Sequence, residues 1–88
     1  MAKFSYKIVF RRSAQKELRE LPRQEVERIM QKISHLANNP RPVGSIKLSQ
    51  QEKHRIRQGN YRILYSIDEA TKIVTIVKIA HRKHVYNS

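Results

Sequence analysis

The chain has 88 residues, no cysteine, and a formal net charge of +12 from 19 Lys and Arg against 7 Asp and Glu. That length holds one small domain, which buries only about 60 to 65% of its unfolded surface. A disulfide framework and a thiolate metal site are excluded, and no apolar run approaches the roughly 18 residues of a spanning helix. Self-repulsion at this charge opposes the compact state, so an anionic partner is expected, whether nucleic acid, an acidic protein or an anionic membrane surface.

The opening stretch MAKFSYKIVFRR alternates apolar and polar residues and carries no apolar block, which argues against export and predicts a soluble cytoplasmic domain. Phe4, Tyr6, Ile8 and Phe10 stand at period two and predict a strand over residues 4–10 with one buried face. Ser13 is placed to cap a first helix carrying Ala14, Leu18 and Leu21, and Pro22 ends that helix and starts another. Val26, Ile29, Met30, Ile33, Leu36 and Ala37 form a long apolar stripe that Asn38-Asn39-Pro40 terminates. The helical cations Lys16, Arg19, Arg28 and Lys32 are expected to pair with Glu17, Glu20, Glu25 and Glu27.

After a loop over 40–44, the short piece 45–48 leads into three strand candidates at 53–58, 60–67 and 72–79. Gly59-Asn60 joins the first two and 68–71 the last two, and loops this short connect antiparallel neighbours. The expected architecture is a single α+β domain over residues 1–88 in the order β-α-α-β-β-β. Its twisted, mostly antiparallel sheet carries the helical pair on one face. Alternation puts His54 and Ile56 toward the helices with Ile63, Tyr65 and Ile67, and sends Lys53, Arg55, Arg57 and Arg62 to the other face. No acid interrupts those four cations, and Glu52 beside them is the nearest carboxylate. A phosphate-binding ribbon is the sharper reading and a solvated basic face the plainer one. The closing HRKHVY, residues 81–86, adds Arg82, Lys83, His81, His84 and Tyr86. His35 and His54 read as structural, and Tyr65 as core.

The ordered set Y-x-I-x-F, S-A-x-K-E-L, L-P, N-P-R-P, K-L, R-I-R-x-G-x-Y-R-I-L-Y and H-R-x-x-V-Y resembles the RelE/ParE superfamily of toxin–antitoxin toxins over essentially the whole chain. That family's fold is the β-α-α-β-β-β order reached above from the hydrophobic pattern. Its members divide between RelE-like ribosome-dependent mRNA endoribonucleases and ParE-like inhibitors of DNA gyrase, and the terminal tyrosine resembles the RelE branch. The resemblance implies a catalytic set of Arg57, Arg62, Arg82 and Tyr86, with His84 as a rival acid or base. Lys47, Lys53, Arg55, His81 and Lys83 would contact RNA. The best-known RelE carries lysines where this chain has Arg55 and Arg57, so any general-base role of those lysines does not carry over, because arginine stays charged.

Cleavage of this kind requires a deprotonated 2′-hydroxyl, a stabilised phosphorane and a protonated leaving oxygen. The arginines supply fixed donors, and Tyr86 becomes a base only if neighbouring guanidiniums stabilise its phenolate. Tyr86 also reads as a packing residue at the chain end. His81 and His84 have a metal-like i, i+3 spacing but no carboxylate cluster beside them, so no metal or other cofactor is expected. A gyrase inhibitor without chemistry and a non-catalytic RNA-binding domain remain the alternatives. The partners the resemblance implies are the ribosome with its mRNA, and an antitoxin whose acidic, initially disordered segment wraps the toxin in a hetero-oligomeric complex and covers Arg62 and Tyr86.

Overall fold

The computed structural model describes residues 5–48 and 53–83. In chain order the elements are β1 (Lys7–Phe10), α1 (Arg12–Arg19), α2 (Arg23–His35), β2 (Ile46–Leu48), β3 (Lys53–Gln58), β4 (Tyr61–Asp68) and β5 (Ile73–His81). They form one five-stranded sheet in the order β1-β5-β4-β3-β2, with β1 parallel to β5 and every other pair antiparallel. The chain leaves β1 at one edge, crosses the sheet face as two helices, enters β2 at the far edge and returns as a meander until β5 reaches β1. The expected order therefore holds, with the piece at 45–48 counted as a fifth strand.

The core lies between the helices and the inner sheet face. Ala14 from α1, Ile29 and Ile33 from α2, and Leu36 just after it meet Ile56, Ile63, Tyr65, Ile67, Val74, Ile76 and Ile79 from the sheet, all buried. Burying each large aliphatic side chain contributes about 1.5 to 3 kcal/mol, which is what holds a domain of this size. Tyr65 is fully buried as expected, and its hydroxyl donates to the Pro40 carbonyl at 2.6 Å, so the polar tip is satisfied. His54 is buried and stacks on Tyr65 with ring centroids 5.5 Å apart, in agreement with a structural role. His35 instead ends α2 on the surface.

Several local expectations are corrected. Ser13 does not cap α1; the helix starts at Arg12 with Arg11 at the cap and no side-chain cap bond. The reason lies in the sheet. The Arg11 N–H still donates to the Ile76 carbonyl while its own carbonyl accepts from Gln15, so Arg11 alone joins strand to helix and serves both. The pattern that predicted a strand from residue 4 yields pairing only from Lys7, and Phe4 lies outside the described residues. The expected ion pairs of Lys16, Arg19, Arg28 and Lys32 do not form among the described residues. Glu27 takes Arg23 at 3.7 Å, one helical turn away.

Glu17 has a different task. Pairing of β1 with β5 ends at Phe10 and Ile76, leaving the last turn of β5 without a strand on that side. The Glu17 carboxylate fills the gap: Oε1 accepts the Ile79 N–H at 2.9 Å and Oε2 receives Lys78 Nζ at 3.2 Å. Just before it, β5 carries a bulge. Leu64 pairs Lys78 but Tyr65 pairs Ile76, so Val77 is the extra residue. The bulge changes which residues face inward, from Val74 and Ile76 before it to Ile79 after it.

The far end of the sheet is tied by charge. Tyr6 Oη donates to Glu69 Oε1 at 2.7 Å, Arg41 reaches Glu69 Oε2 at 2.6 Å, and Lys72 Nζ lies 3.4 Å from Oε1 and 5.0 Å from the centre of the Tyr6 ring. These donors, first Tyr6 and then Arg41, hold the Glu69 carboxyl at about 2. Lys72 is the turn residue with positive φ, at 57°, and the Asp68 carboxylate accepts the Ala70 and Thr71 N–H groups beside it.

Glu17→Ala removes the acceptor of a half-buried amide, and chemical denaturation should register a loss of about 1 to 3 kcal/mol, most of which Glu17→Gln restores. The Glu69 contacts are complete above the ordinary carboxylate range of about 4.3 and disappear as pH falls through about 2. Stability measured from pH 6 downward should therefore decline through that window, and Glu69→Gln should remove this part of the decline.

Candidate nucleic-acid interface

The sheet face opposite the helices collects the arginines because side chains alternate and β3, β4 and β5 are in register. Gly59 and Asn60 form the two-residue turn between β3 and β4, with Gly59 at φ 60°, the positive value that the first central residue of a type II′ turn requires. The turn makes Gln58 and Tyr61 the closing pair, so Arg57 and Arg62 are the next pair out, directly opposite each other. Next pairs of this kind exchange no backbone hydrogen bonds, and their Cα atoms approach to about 4.5 Å. Across the β4–β5 pairing, Arg62 faces Ala80, whose methyl leaves room beside the guanidinium. Arg82 follows two residues later, its N–H donating to the Asn60 carbonyl at 2.7 Å, which draws the chain against the turn.

Arg62 is the centre of this group. Its guanidinium pKa is lowered, first by burial and then by the charges of Arg57, Arg55 and Arg82. Its Nε is buried and meets no acceptor among the described residues. Arg55 lies two residue pairs from the Arg57–Arg62 pair, opposite Leu64 on the same face, and is 9% exposed, whereas Arg57 and Arg82 are exposed. Four cations thus bear on one spot, with Arg62 at its middle and an unused donor there. Like charges placed directly across a sheet cost roughly 0.2 to 1 kcal/mol, so this arrangement opposes folding and favours an anion.

The other sequence candidates divide. Lys53 shares the arginine face but sits at its opposite end, paired with Ser66. Lys47 pairs His54, which puts it on the helix-side face of edge strand β2, away from the arginines. His81 pairs Tyr61, also on the helix side, with rings edge-to-face at 5.6 Å, and its Nδ1 accepts the Lys83 N–H at 3.2 Å. Lys83 is exposed next to Arg82. His84, Tyr86 and Glu52 lie outside the described residues. No three His, Cys, Asp or Glu side chains converge as metal ligands among the described residues, and no helix there is long and apolar enough to cross a membrane.

One residue escaped the sequence reading. Lys32, taken for a surface ion-pairing cation, is half-buried on α2 and lines a cavity of about 310 Å³ whose other wall includes Arg57. Its position offered a signal, since it falls three residues after Ile29 and four before Leu36, on the flank of the apolar stripe.

The described residues thus form an α+β domain whose sheet face away from the helices gathers a cluster of cations around Arg62. A family model described as the ParE toxin of type II toxin–antitoxin system, parDE, matches residues 8–86, and the chain belongs to that family, within the RelE/ParE superfamily of toxins. It is 29% identical over 83 residues to Toxin RelE of Mycobacterium tuberculosis, covering 92% of this chain and 86% of that protein. To Toxin RelG of the same organism it is 28% identical over 83 residues, covering 92% of this chain and 95% of that one. Among solved structures, the archaeal RelE–RelB complex from Pyrococcus horikoshii matches with a TM-score of 0.80 and 27% identity, over 89% of this chain and 96% of that one. The chain is therefore the toxin of a toxin–antitoxin module.

Replacing Arg57 by Thr should stabilise the free domain by up to about 1 kcal/mol in low salt, the gain shrinking as salt screens the pair. Urea denaturation at two ionic strengths reads this directly.

Proposed function

We propose that this toxin is a ribosome-dependent endoribonuclease that cuts mRNA at the A site. The observation that carries the reading is Arg62, flanked by Arg55, Arg57 and Arg82 and holding a buried Nε with no acceptor among the described residues. A phosphodiester supplies what that group lacks: negative charge for four guanidiniums and oxygen acceptors for their N–H forks. The relatedness to Toxin RelE and Toxin RelG supports the same branch of the superfamily.

In this reading the 2′-hydroxyl gives its proton to a base and its oxygen attacks phosphorus. The bond from phosphorus to the 5′-oxygen breaks, and that oxygen takes a proton. The products are a 2′,3′-cyclic phosphate and a 5′-hydroxyl. Arg57, Arg62 and Arg82 hold the non-bridging oxygens as charge builds on them, a step that needs no proton transfer. Each such fixed donor is typically worth about 3 to 4 kcal/mol of barrier. Tyr86 is assigned the base role on its sequence position, activated as phenolate by these cations, and His84 is its rival. The ribosome supplies the positioning that a small open face lacks. A cognate antitoxin with an acidic segment would silence the toxin by neutralising the same arginines.

The family description as a ParE toxin favours a second reading, inhibition of DNA gyrase without RNA chemistry. One experiment separates them. The purified chain is added to ribosomes stalled on a defined A-site codon, and mRNA ends are mapped by primer extension. Codon-register cuts are expected, reduced about 10² to 10³-fold by Arg62→Ala and weakened by Tyr86→Phe. Full cleavage in Tyr86→Phe would move the base role to His84. Intact mRNA together with gyrase-dependent DNA breaks would establish the second reading instead.

A further inference from the structure

We propose that the cavity between α2 and the β2–β3 edge is a nucleotide subsite that seats the base neighbouring the phosphate held on Arg62. The proposal rests on the reading of the arginine face as an RNA receptor and adds a second place of contact to it. The cavity measures about 310 Å³ and is lined by Lys32, Val43, Gly44, Ile46, Ile56 and Arg57. That volume is at the lower end of the range for small-ligand sites, and a single base fits within it.

Three features point to a nucleotide. First, the walls are partly apolar and open: the large hydrophobics exposed among the described residues are Met30, Val43 and Ile46, and two of these three border this one cavity. Exposed aliphatic side chains on a rim gain by covering a flat, weakly hydrated surface, and a base is such a surface. Second, the polar side chains of the described lining are Lys32 and Arg57, both cationic. Lys32 has no acidic partner among the described residues, the two glutamates of α2, Glu25 and Glu27, standing nearer its start. Third, the cavity is continuous with the arginine cluster, because Arg57 belongs to both.

The topology explains why the space exists. β2 pairs β3 only as far as Ile46 and Arg55, so on that side β3 runs on through Ile56, Arg57 and Gln58 unpaired, with β4 still beside it on the other. The chain turns away there at Gly44, with φ 96°. From Arg62 on β4 to Ile46 on β2 is two strand spacings across and two residues along, roughly 12 Å, a reach of about two nucleotides of extended single strand. A base entering between Val43 and Ile46 would leave its phosphates near Lys32 and Arg57, the ordinary combination of an apolar face with a cationic track. An acidic amphipathic peptide has a related chemistry, but it needs no continuity with the phosphate-holding arginines, and that continuity decides for RNA.

The test uses the full chain and a short single-stranded RNA carrying 2′-methoxy groups so that it is not cut. Amide shifts are expected at Val43, Gly44 and Ile46 together with those at Arg57 and Arg62. In a series of the same RNA with one abasic position moved along it, one member should bind about tenfold more weakly, the worth of a partly buried apolar contact. In Ile46→Ala, whose folding is checked by its melting curve, that abasic penalty should vanish. Lys32→Ala should lower the salt dependence of binding by about one phosphate's share. Shifts confined to the arginines, or an abasic penalty unchanged in Ile46→Ala, would overturn the proposal while leaving the receptor reading intact. So would an acidic amphipathic peptide moving the cavity amides where RNA does not. Cavity shifts with RNA but no ribosomal cleavage would sink the nuclease reading alone.

Discussion

The rest of the molecule depends on the change of register in β5. This strand is paired on both sides, by β1 and by β4, so its side chains are divided between the core and the arginine face with little freedom. With strict alternation from Val74 onward, Ile79 would point away from the helices and Ala80 and Arg82 toward them. The single extra residue at Val77 reverses this, sending Ile79 into the core and Ala80 to the row beside Arg62. A bulge costs a ladder contact locally, and here it secures both a buried isoleucine and the correct company for Arg62.

Glu17 belongs to the same device. An interrupted strand whose neighbour has ended presents unpaired backbone groups, and α1 supplies a carboxylate where β1 stops. The helix that follows β1 is thus placed by the strand it covers, through one acceptor aimed at the Ile79 amide and one charge contact to Lys78. At the opposite end, Glu69 joins the start of the chain, the loop after α2 and the β4–β5 turn. Two carboxylates therefore fasten the two ends of the sheet, a notable share of the work in a chain with 7 acids against 19 cations.

Much of this was legible in the sequence. Period-two alternation gave the inner set Ile56, Ile63, Tyr65 and Ile67 and the outer set Arg55, Arg57 and Arg62, because a two-residue turn fixes register without help from the rest of the fold. Pro22 between helices and the stop after Ala37 were equally local signals. Long-range features were not legible. Nothing near Val77 announces a bulge, since every residue around it is compatible with a regular strand. Glu17 and Lys32 looked like ordinary members of a charged helix surface, and only tertiary placement separates a sheet-edge acceptor and a cavity wall from solvated neighbours. Lys47 and His81 enter the set of RNA contacts beside the resemblance, without regard to strand parity, which puts them on the helix side of the sheet.

Parity has an evolutionary reading as well. In β3 and β4 the residues that make the fold and the arginines proposed to hold the anion interleave one by one, Ile56 between Arg55 and Arg57, and Arg62 ahead of Ile63. Each class faces a different medium, so a substitution in one barely reaches the other. With the arginines in the role proposed for them, a single codon change disarms the protein while keeping a folded domain for its partner to recognise, and the reverse change rearms it. Harmless and harmful forms are neighbours in sequence space, separated by a step that folding hardly registers.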